Sequence, residues 1–170
     1  MSAYLIPADH GLVLFDPATY PSFLSTDWTP PQLLGHLAEQ TRQRRLLLWG
    51  TGAPGQWRIA LSMKWSNEKG YREVAGPIVA STDRLFFTDY RTLSKAADLP
   101  GNALIEEVND DDAVLLRPGN YHCRVVQLFD PKVTRSDGAA RLPGTHFLIE
   151  LERSDAPLDP WPTLPWFDEG

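Results

Sequence analysis

The chain has 170 residues, of which 42% are hydrophobic and 22% are charged, and this composition predicts a single globular domain. Its net charge of −6 disfavours direct binding of nucleic acid, because phosphate recognition needs clustered lysine and arginine. The single cysteine, Cys123, excludes an intramolecular disulfide and is typical of a cytoplasmic protein. The apolar runs are far shorter than the roughly 20 residues of a membrane helix, and the first residues lack a signal-peptide pattern, so we expect no membrane association.

The first predicted elements are a strand and a capped helix. Residues Gly11–Phe15 form a short apolar run and are interpreted as the first strand. Thr29 suits the N-cap of a helix, Pro30 suits its first position, and Gln32 completes a capping box. We expect this helix to end within 40–43.

The clearest strand pattern lies at 56–65, where large apolar side chains recur at every second position. Because successive strand side chains point to opposite faces, this pattern predicts a half-buried strand. The apolar run at 46–49 predicts a strand buried on both faces. The intervening GTGAPG at 50–55 matches the glycine pattern of a dinucleotide-binding loop, but a strand rather than a helix follows it. We therefore interpret 50–55 as a turn.

The middle of the chain predicts two more strands and one short helix. Residues 71–80 are expected to pair with 56–65, and Pro77 indicates an edge position or a bulge. Residues 84–90 predict a strand and 91–98 one or two helical turns. Residues 103–108 are compatible with either a strand or a helix.

The last strands are predicted on both sides of a proline-glycine turn. Residues 113–116 and 121–129 are expected to form a hairpin, followed by a loop at 130–144. In 145–153, Phe147, Ile149 and Leu151 are predicted to face the core, and His146, Glu150 and Glu152 to face solvent. The whole pattern predicts a mainly β protein: an antiparallel β-sandwich of about eight strands, with one short capped helix near the N-terminus, over 1–153.

The segment 154–170 differs in composition from the rest of the chain. It holds four prolines together with Trp161, Trp166 and Phe167, and proline denies it a helix or a central strand. Disordered segments are poor in aromatic residues, so we expect this extension to pack on the domain with Trp161 or Trp166 in a groove. The alternative is an exposed polyproline strip that binds a partner.

The densest acidic cluster consists of Glu106, Glu107, Asp110, Asp111 and Asp112. Clustered carboxylates can hold Ca²⁺ or Mg²⁺, but the glycine and distal glutamate of an EF-hand loop are absent here. A solvated turn and a contact patch for a basic partner protein are the other two interpretations.

No pattern of residues predicts an enzyme, a metal site or a cofactor site. His10, His36, His122 and His146 lie far apart in sequence, without the paired spacing of metal ligands. Cys123 follows His122 directly, so the two side chains should lie on opposite faces of one strand and form no dyad. Cys123 is interpreted as a small core residue.

The order of these features resembles the competence protein J family, the bacterial inhibitors of a DNA-entry nuclease. The resemblance rests on the opening strand at 12–16, the helix start at 27–29 and the closing strand at 145–151. Leu116 to Tyr121 is similar to the family's late Leu-x-x-Gly-x-Tyr hairpin. This chain is longer at 50–55, at 91–109 and in its tail. The resemblance implies a small cytosolic β-sandwich that binds a nuclease.

Two hypotheses about function follow. The first is a non-enzymatic cytoplasmic protein-binding domain, an inhibitor or immunity protein of a basic nuclease or toxin. Its predicted contacts are Glu106, Glu107, Asp110, Asp111, Asp112, Trp161 and Trp166. The second is a β-sandwich that binds a small ligand or carbohydrate through exposed aromatics such as Trp49, Trp65 or Trp161.

Overall fold

The computed structural model describes residues 1–101, 103–132 and 144–167, and in this part of the chain nine strands form two sheets. The strands are β1 (Ser2–Ala8), β2 (Gly11–Phe15), β3 (Leu46–Gly50), β4 (Gly55–Ser62), β5 (Arg72–Ala80), β6 (Arg84–Asp89), β7 (Ala113–Leu115), β8 (Gly119–Gln127) and β9 (Phe147–Arg153). The helices are α1 (Pro30–Arg42), α2 (Tyr90–Ala96) and α3 (Ala103–Glu107), and a 3-10 turn spans Asp110–Asp112. The predicted mainly β sandwich is confirmed.

One sheet has five strands in the order β1-β4-β9-β8-β5, and the other has four in the order β3-β2-β6-β7. All neighbours pair antiparallel except β4 and β9, which are parallel. The main core lies between the sheets, where Trp57 and Phe147 of the first sheet meet Trp49 and Phe87 of the second. No helix among the described residues is long and apolar enough to cross a membrane.

The three helices cover the outer face of the four-stranded sheet. Leu33 and Leu37 of α1 and Leu93 of α2 pack with Phe15 and Leu48 in a second core. This third layer explains why every residue of β2 and β3 is buried, as the continuous apolar run at 46–49 predicted. The capped start of α1 is also confirmed, because the side chain of Gln32 accepts a hydrogen bond from the backbone N–H of Thr29.

Three predicted strand relations are wrong. The first strand is β1, which precedes Gly11–Phe15 and pairs with β4. Residues 71–80 do not pair with 56–65, because β9 and β8 lie between β4 and β5. The predicted hairpin around 117–120 does not exist, because β7 pairs with β6 in one sheet whereas β8 pairs with β5 and β9 in the other. The chain instead crosses between the sheets at this turn.

Other details are confirmed or corrected at single residues. Pro77 lies in β5, at an edge of the five-stranded sheet, as expected. Residues 103–108 include the helix α3, and β4 ends at Ser62, so the regular alternation stops before Met63 and Trp65. In the predicted loop at 130–144, residues 133–143 lie outside the described residues.

Glu150 was predicted to face solvent, and this is wrong. Its side chain is 1% exposed and forms an ion pair with Arg124, which also pairs with Glu73. Arg124 donates further hydrogen bonds to the carbonyls of Ser66 and Glu68, so it ties the loop after β4 over this face of the sheet. A buried carboxylate is tolerated here because a cation lies beside it.

The described C-terminal residues lie along the side of the sandwich formed by β3 and β5. Trp161 is 4% exposed, and its indole N–H donates to the carbonyl of Pro77 at 2.8 Å. Gly50 donates to the carbonyl of Pro165 at 2.8 Å, and the guanidinium of Arg44 donates to that of Leu158 at 3.0 Å. The segment therefore contacts both sheets.

The close approach of Trp161 to β5 gives a stability prediction. A Cβ atom on Gly76 would lie 2.3 Å from the indole ring of Trp161, so Gly76→Ala forces the ring out of its position. We expect a loss of about 1–3 kcal/mol in the free energy of unfolding, measured by urea denaturation.

Gly35→Ala is the matched control, because a Cβ there meets nothing within 4 Å. Gly35 lies within α1, so this change should stabilise the protein by about 0.5–1 kcal/mol. An unchanged unfolding midpoint for Gly76→Ala would contradict the packing of Trp161 on β5.

Candidate functional site

The sandwich has two sides at which edge strands of the two sheets face each other. On one side, β5 lies near β3, and the C-terminal segment packs along both. On the other side, β1 lies near β7, and the hydroxyl of Tyr4 donates to the carbonyl of Ala113 at 3.1 Å. These two sides hold the two candidate sites.

The β1–β7 side contains an open groove with a volume of about 450 Å³. Its lining mixes apolar side chains with three polar ones. The apolar residues are Met1, Tyr4, Leu61, Met63, Ala113 and Leu115, and the polar ones are Ser2, Ser62 and Lys64. Met1 is 91% exposed, Leu115 70% and Met63 44%, which is unusual for large apolar side chains gathered at one place. We call this feature the open groove.

The Asp110–Asp112 turn, here called the acidic turn, leads directly into β7 at the open groove. The side chain of Asn109 accepts a hydrogen bond from the N–H of Asp111, which fixes the start of the turn. Asp110 and Asp111 are exposed, and Asp112 is partly buried. Burial raises the pKa of Asp112, and the negative charge of Asp111 adds to this effect.

Glu106 and Glu107 are exposed at the end of α3, shortly before the acidic turn. In the described ranges, neither these glutamates nor the three aspartates of the acidic turn take part in an ion pair. The five carboxylates thus form an acidic surface whose charge the described residues do not neutralise by direct pairing. No group of three or more His, Cys, Asp or Glu in this part of the chain is arranged to hold a metal ion.

The β3–β5 side contains a second cavity of about 660 Å³, here called the tail pocket. The guanidinium carbon of Arg72 lies 4.4 Å from the centre of the Trp166 ring and 5.5 Å from that of Tyr71. The Nε of Arg72 donates to the side chain of Gln127 at 2.6 Å. Burial lowers the pKa of Arg72, and the nearby charges of Tyr71 and Asp130 oppose that shift.

Trp166 adopts a left-handed backbone conformation with φ of 56°, which is rare for a bulky side chain. The hydrogen bond from Gly50 to Pro165 holds the backbone just before it. A Cβ on Gly50 would lie 1.9 Å from the carbonyl oxygen of Trp166, so only glycine allows this approach. The fold thus places the Trp166 ring against Arg72 at the wall of the tail pocket.

The structure does not bring all predicted contact residues together. The acidic turn leads into β7, whereas Trp166 is held at β3, the opposite edge of the four-stranded sheet. Trp161 is buried, so its side chain lies at neither surface.

The aromatic residues proposed for ligand binding are mostly unavailable. Trp49 is fully buried between the sheets, so its prediction as an exposed aromatic is wrong. Trp161 is buried as well. Trp65 is 36% exposed, but its ring lies 4.3 Å from that of His122 and its N–H donates to the His122 carbonyl. Of the three aromatic residues, only Trp65 therefore keeps an exposed side chain, and that ring already packs against His122.

The glycine-rich stretch at 50–55 and Cys123 both have structural positions in the fold. Residues 50–55 join β3 to β4 as a turn, as predicted. Cys123 is fully buried, and burial raises the pKa of its thiol to about 12, so it is a core residue and not a nucleophile. The sequence reasoning missed the open groove, although the alternation of Tyr4, Ile6 and Ala8 was a signal for β1.

No protein-family model and no curated protein matches the chain. Two solved structures do. The structure titled crocagin biosynthetic gene J has a TM-score of 0.62 and 14% identity, covering 90% of this chain and 96% of its own. ComJ of Bacillus subtilis, described as the inhibitor of the DNA-degrading activity of NucA, has a TM-score of 0.51 and 12% identity, covering 91% and 96%.

The chain has the fold of ComJ. The resemblance to the competence protein J family is therefore confirmed at the level of fold. Identities of 14% and 12% show the fold alone, so the role of each surface has to be argued from this chain's own residues.

The raised pKa of Asp112 gives a prediction with a definite sign. The folded protein holds a proton on Asp112 at pH values where the unfolded chain has lost it, so ionised Asp112 costs stability at neutral pH. Asp112→Asn should therefore raise the free energy of unfolding at pH 7, within the ~0.5 kcal/mol typical of surface changes. The gain should vanish at about pH 3, below the ordinary value of 3.8, where Asp112 is protonated in both states.

Glu107→Gln removes the same charge at an exposed position and serves as the control, with both variants compared by urea unfolding. An equal gain in both at pH 7 would mean that net charge, and not the burial of Asp112, sets the effect.

Proposed function

We propose that this protein is a non-enzymatic cytoplasmic inhibitor, or immunity protein, that binds a basic protein such as a nuclease or toxin. The observation that carries the proposal is the acidic surface of Glu106, Glu107 and the acidic turn, which leads directly into Ala113 at the open groove. Carboxylates without ion-pair partners and exposed apolar side chains are the two components of a protein-binding surface.

The electrostatics favour a partner that itself binds phosphate. A nuclease holds its substrate backbone with lysine and arginine, and a row of carboxylates presents a similar field to those side chains. The net charge of −6 supports attraction over the longer range. An inhibitor that occupies such a surface competes with nucleic acid without binding nucleic acid itself.

The fold supports the same proposal. ComJ is described as an inhibitor of a DNA-degrading enzyme, and it shares this architecture over nearly the whole chain. In this proposal the open groove supplies apolar contact area, and the carboxylates supply orientation and speed of association.

The second candidate function is binding of a small ligand in the tail pocket. Its volume of about 660 Å³ suits a small molecule, and Trp166, Tyr71 and Arg72 offer aromatic surface and positive charge. A metabolite that quenches tryptophan fluorescence in the native protein, but not in Trp166→Phe, would favour it. Unchanged tryptophan fluorescence across a broad panel of metabolites would contradict this function.

Charge reversal tests the proposed partner surface. In Asp110→Lys/Asp111→Lys, two exposed carboxylates become cations, so we expect association with the partner to slow by about tenfold or more at low salt. The dependence of the association rate on salt should also become shallower. The partner is captured from the source organism at low salt and identified as a nuclease by assay, and the rates are measured by surface plasmon resonance.

Asp155→Lys/Asp159→Lys is the matched control, because it changes the net charge equally at exposed positions near the opposite side of the sandwich. This control should retain most of the association rate. Equal slowing of association in both variants would mean that net charge alone, and not the acidic turn, sets the association rate. Unchanged binding after charge reversal of the acidic turn would refute the assigned surface.

A further inference from the structure

The edge of β1 is open to pairing. Within the described residues, β1 pairs with β4 along seven positions, and no strand lies on its other edge. Strand β7 is likewise an edge of its sheet and pairs only with β6. The backbone donors and acceptors on the outer edge of β1 are therefore available to another chain. Pro7 removes one donor, so the usable edge is mainly residues 2–6.

The opposite side of the sandwich shows how this molecule covers an edge. There the C-terminal segment runs beside β3, forms a backbone hydrogen bond between Pro165 and Gly50, and inserts Trp161 against β5. The β1–β7 side has no such cover in the described residues and instead presents the open groove. One side is covered by the chain itself, and the other is exposed.

The apolar part of the open groove's lining suits apolar side chains of a partner. Both methionines of the chain, Met1 and Met63, line it, and Leu115 forms another exposed wall. Methionine side chains are flexible and polarisable, so they adapt to partner side chains of different shape.

The charge beside the groove selects the partner's other side chains. The acidic turn leads into Ala113, whose carbonyl accepts a hydrogen bond from the hydroxyl of Tyr4 of β1, so Asp112 lies close to the open edge. Burial raises the pKa of the Tyr4 hydroxyl, a hydrogen bond with Ser2 opposes this shift, and the charge of Asp112 adds to it. Basic side chains on an added strand would meet this charge.

We infer that a partner docks by adding an extended segment as a new strand on the open edge of β1, with apolar and basic residues both on the face that points toward β7. Its apolar side chains fill the open groove, and its basic side chains approach the acidic turn. This inference rests on the proposed function and specifies the docking segment of the partner. A second copy of this chain is a poorer occupant, because pairing two β1 edges would bring two acidic turns and two negative molecules together.

The test uses a capped peptide of about ten residues. One strand face carries Leu or Ile toward one end and Lys or Arg toward the other, and the opposite face carries Thr. Binding is measured by isothermal titration calorimetry at low salt, and backbone protection by hydrogen–deuterium exchange read out by NMR. We expect the outward-facing amides within 2–6 to exchange at least about tenfold more slowly in the complex. A peptide with Glu in place of Lys and Arg should not bind.

Two matched comparisons separate strand addition from simple charge attraction. The same basic peptide, N-methylated at alternate backbone nitrogens, keeps its side chains but cannot pair, and should bind at least about tenfold more weakly. Leu115→Ser removes an exposed wall of the groove and should weaken binding, whereas Leu99→Ser, at an exposed leucine outside the groove lining, should not.

Each other outcome overturns the inference in a distinguishable way. If the peptide and the captured partner bind but the amides of residues 2–6 are not protected from exchange, strand addition is refuted. The acidic surface then remains the docking site. No binding of the basic peptide refutes the docking segment, while the charge-reversal rates decide the proposed function separately. Protection at 2–6 that rises with protein concentration, without peptide, would assign the edge to a second copy.

Discussion

An open two-sheet sandwich ends in edge strands, and the backbone hydrogen-bonding groups along those edges need partners. In the described part of this chain the four edge strands are β1, β5, β3 and β7. The C-terminal segment covers the side formed by β3 and β5, where Gly50 and Gly76 let its backbone and the Trp161 ring approach closely. The other side has no such cover within the described residues, which is why the proposal places the partner there.

Some charged residues are paired inside the fold, and others are exposed on the surface. Arg124 is buried, pairs with the buried Glu150 and the exposed Glu73, and holds a loop over the five-stranded sheet, so its charge is already paired within the fold. Asp110 and Asp111 have no such ion pair in the described residues. A buried charge of this kind has to be paired within the fold, whereas the exposed carboxylates of the acidic turn are the groups that the proposal assigns to a cationic partner.

Local features of the fold were predictable from the sequence, and relations between distant segments were not. The capping box at Thr29 uses neighbouring residues only, and the alternation within 56–65 reports the face of a strand. Neither feature indicates which strands lie next to each other in a sheet, so the pairing of β5 with β8 was not predicted. The predictions that Glu150 and Trp49 are exposed were wrong for a related reason, because the burial of each depends on residues far away in the chain. Glu150 is buried beside Arg124, and Trp49 is buried against the opposite sheet. The acidic turn could be recognised from the sequence as a cluster of carboxylates. The groove could not, because it forms only where β1 and β7 come together in the fold.

The central claim is that the β1–β7 side binds the partner, and oxidation of the two methionines tests it most directly. Met1 and Met63 both line the open groove, so hydroxyl-radical footprinting by mass spectrometry reports on this side without any substitution. In the complex with the captured nuclease, both should oxidise more slowly than in the free protein, while Trp65 on the outer face of the five-stranded sheet oxidises at the same rate. Unchanged oxidation of both methionines in the saturated complex would contradict the account.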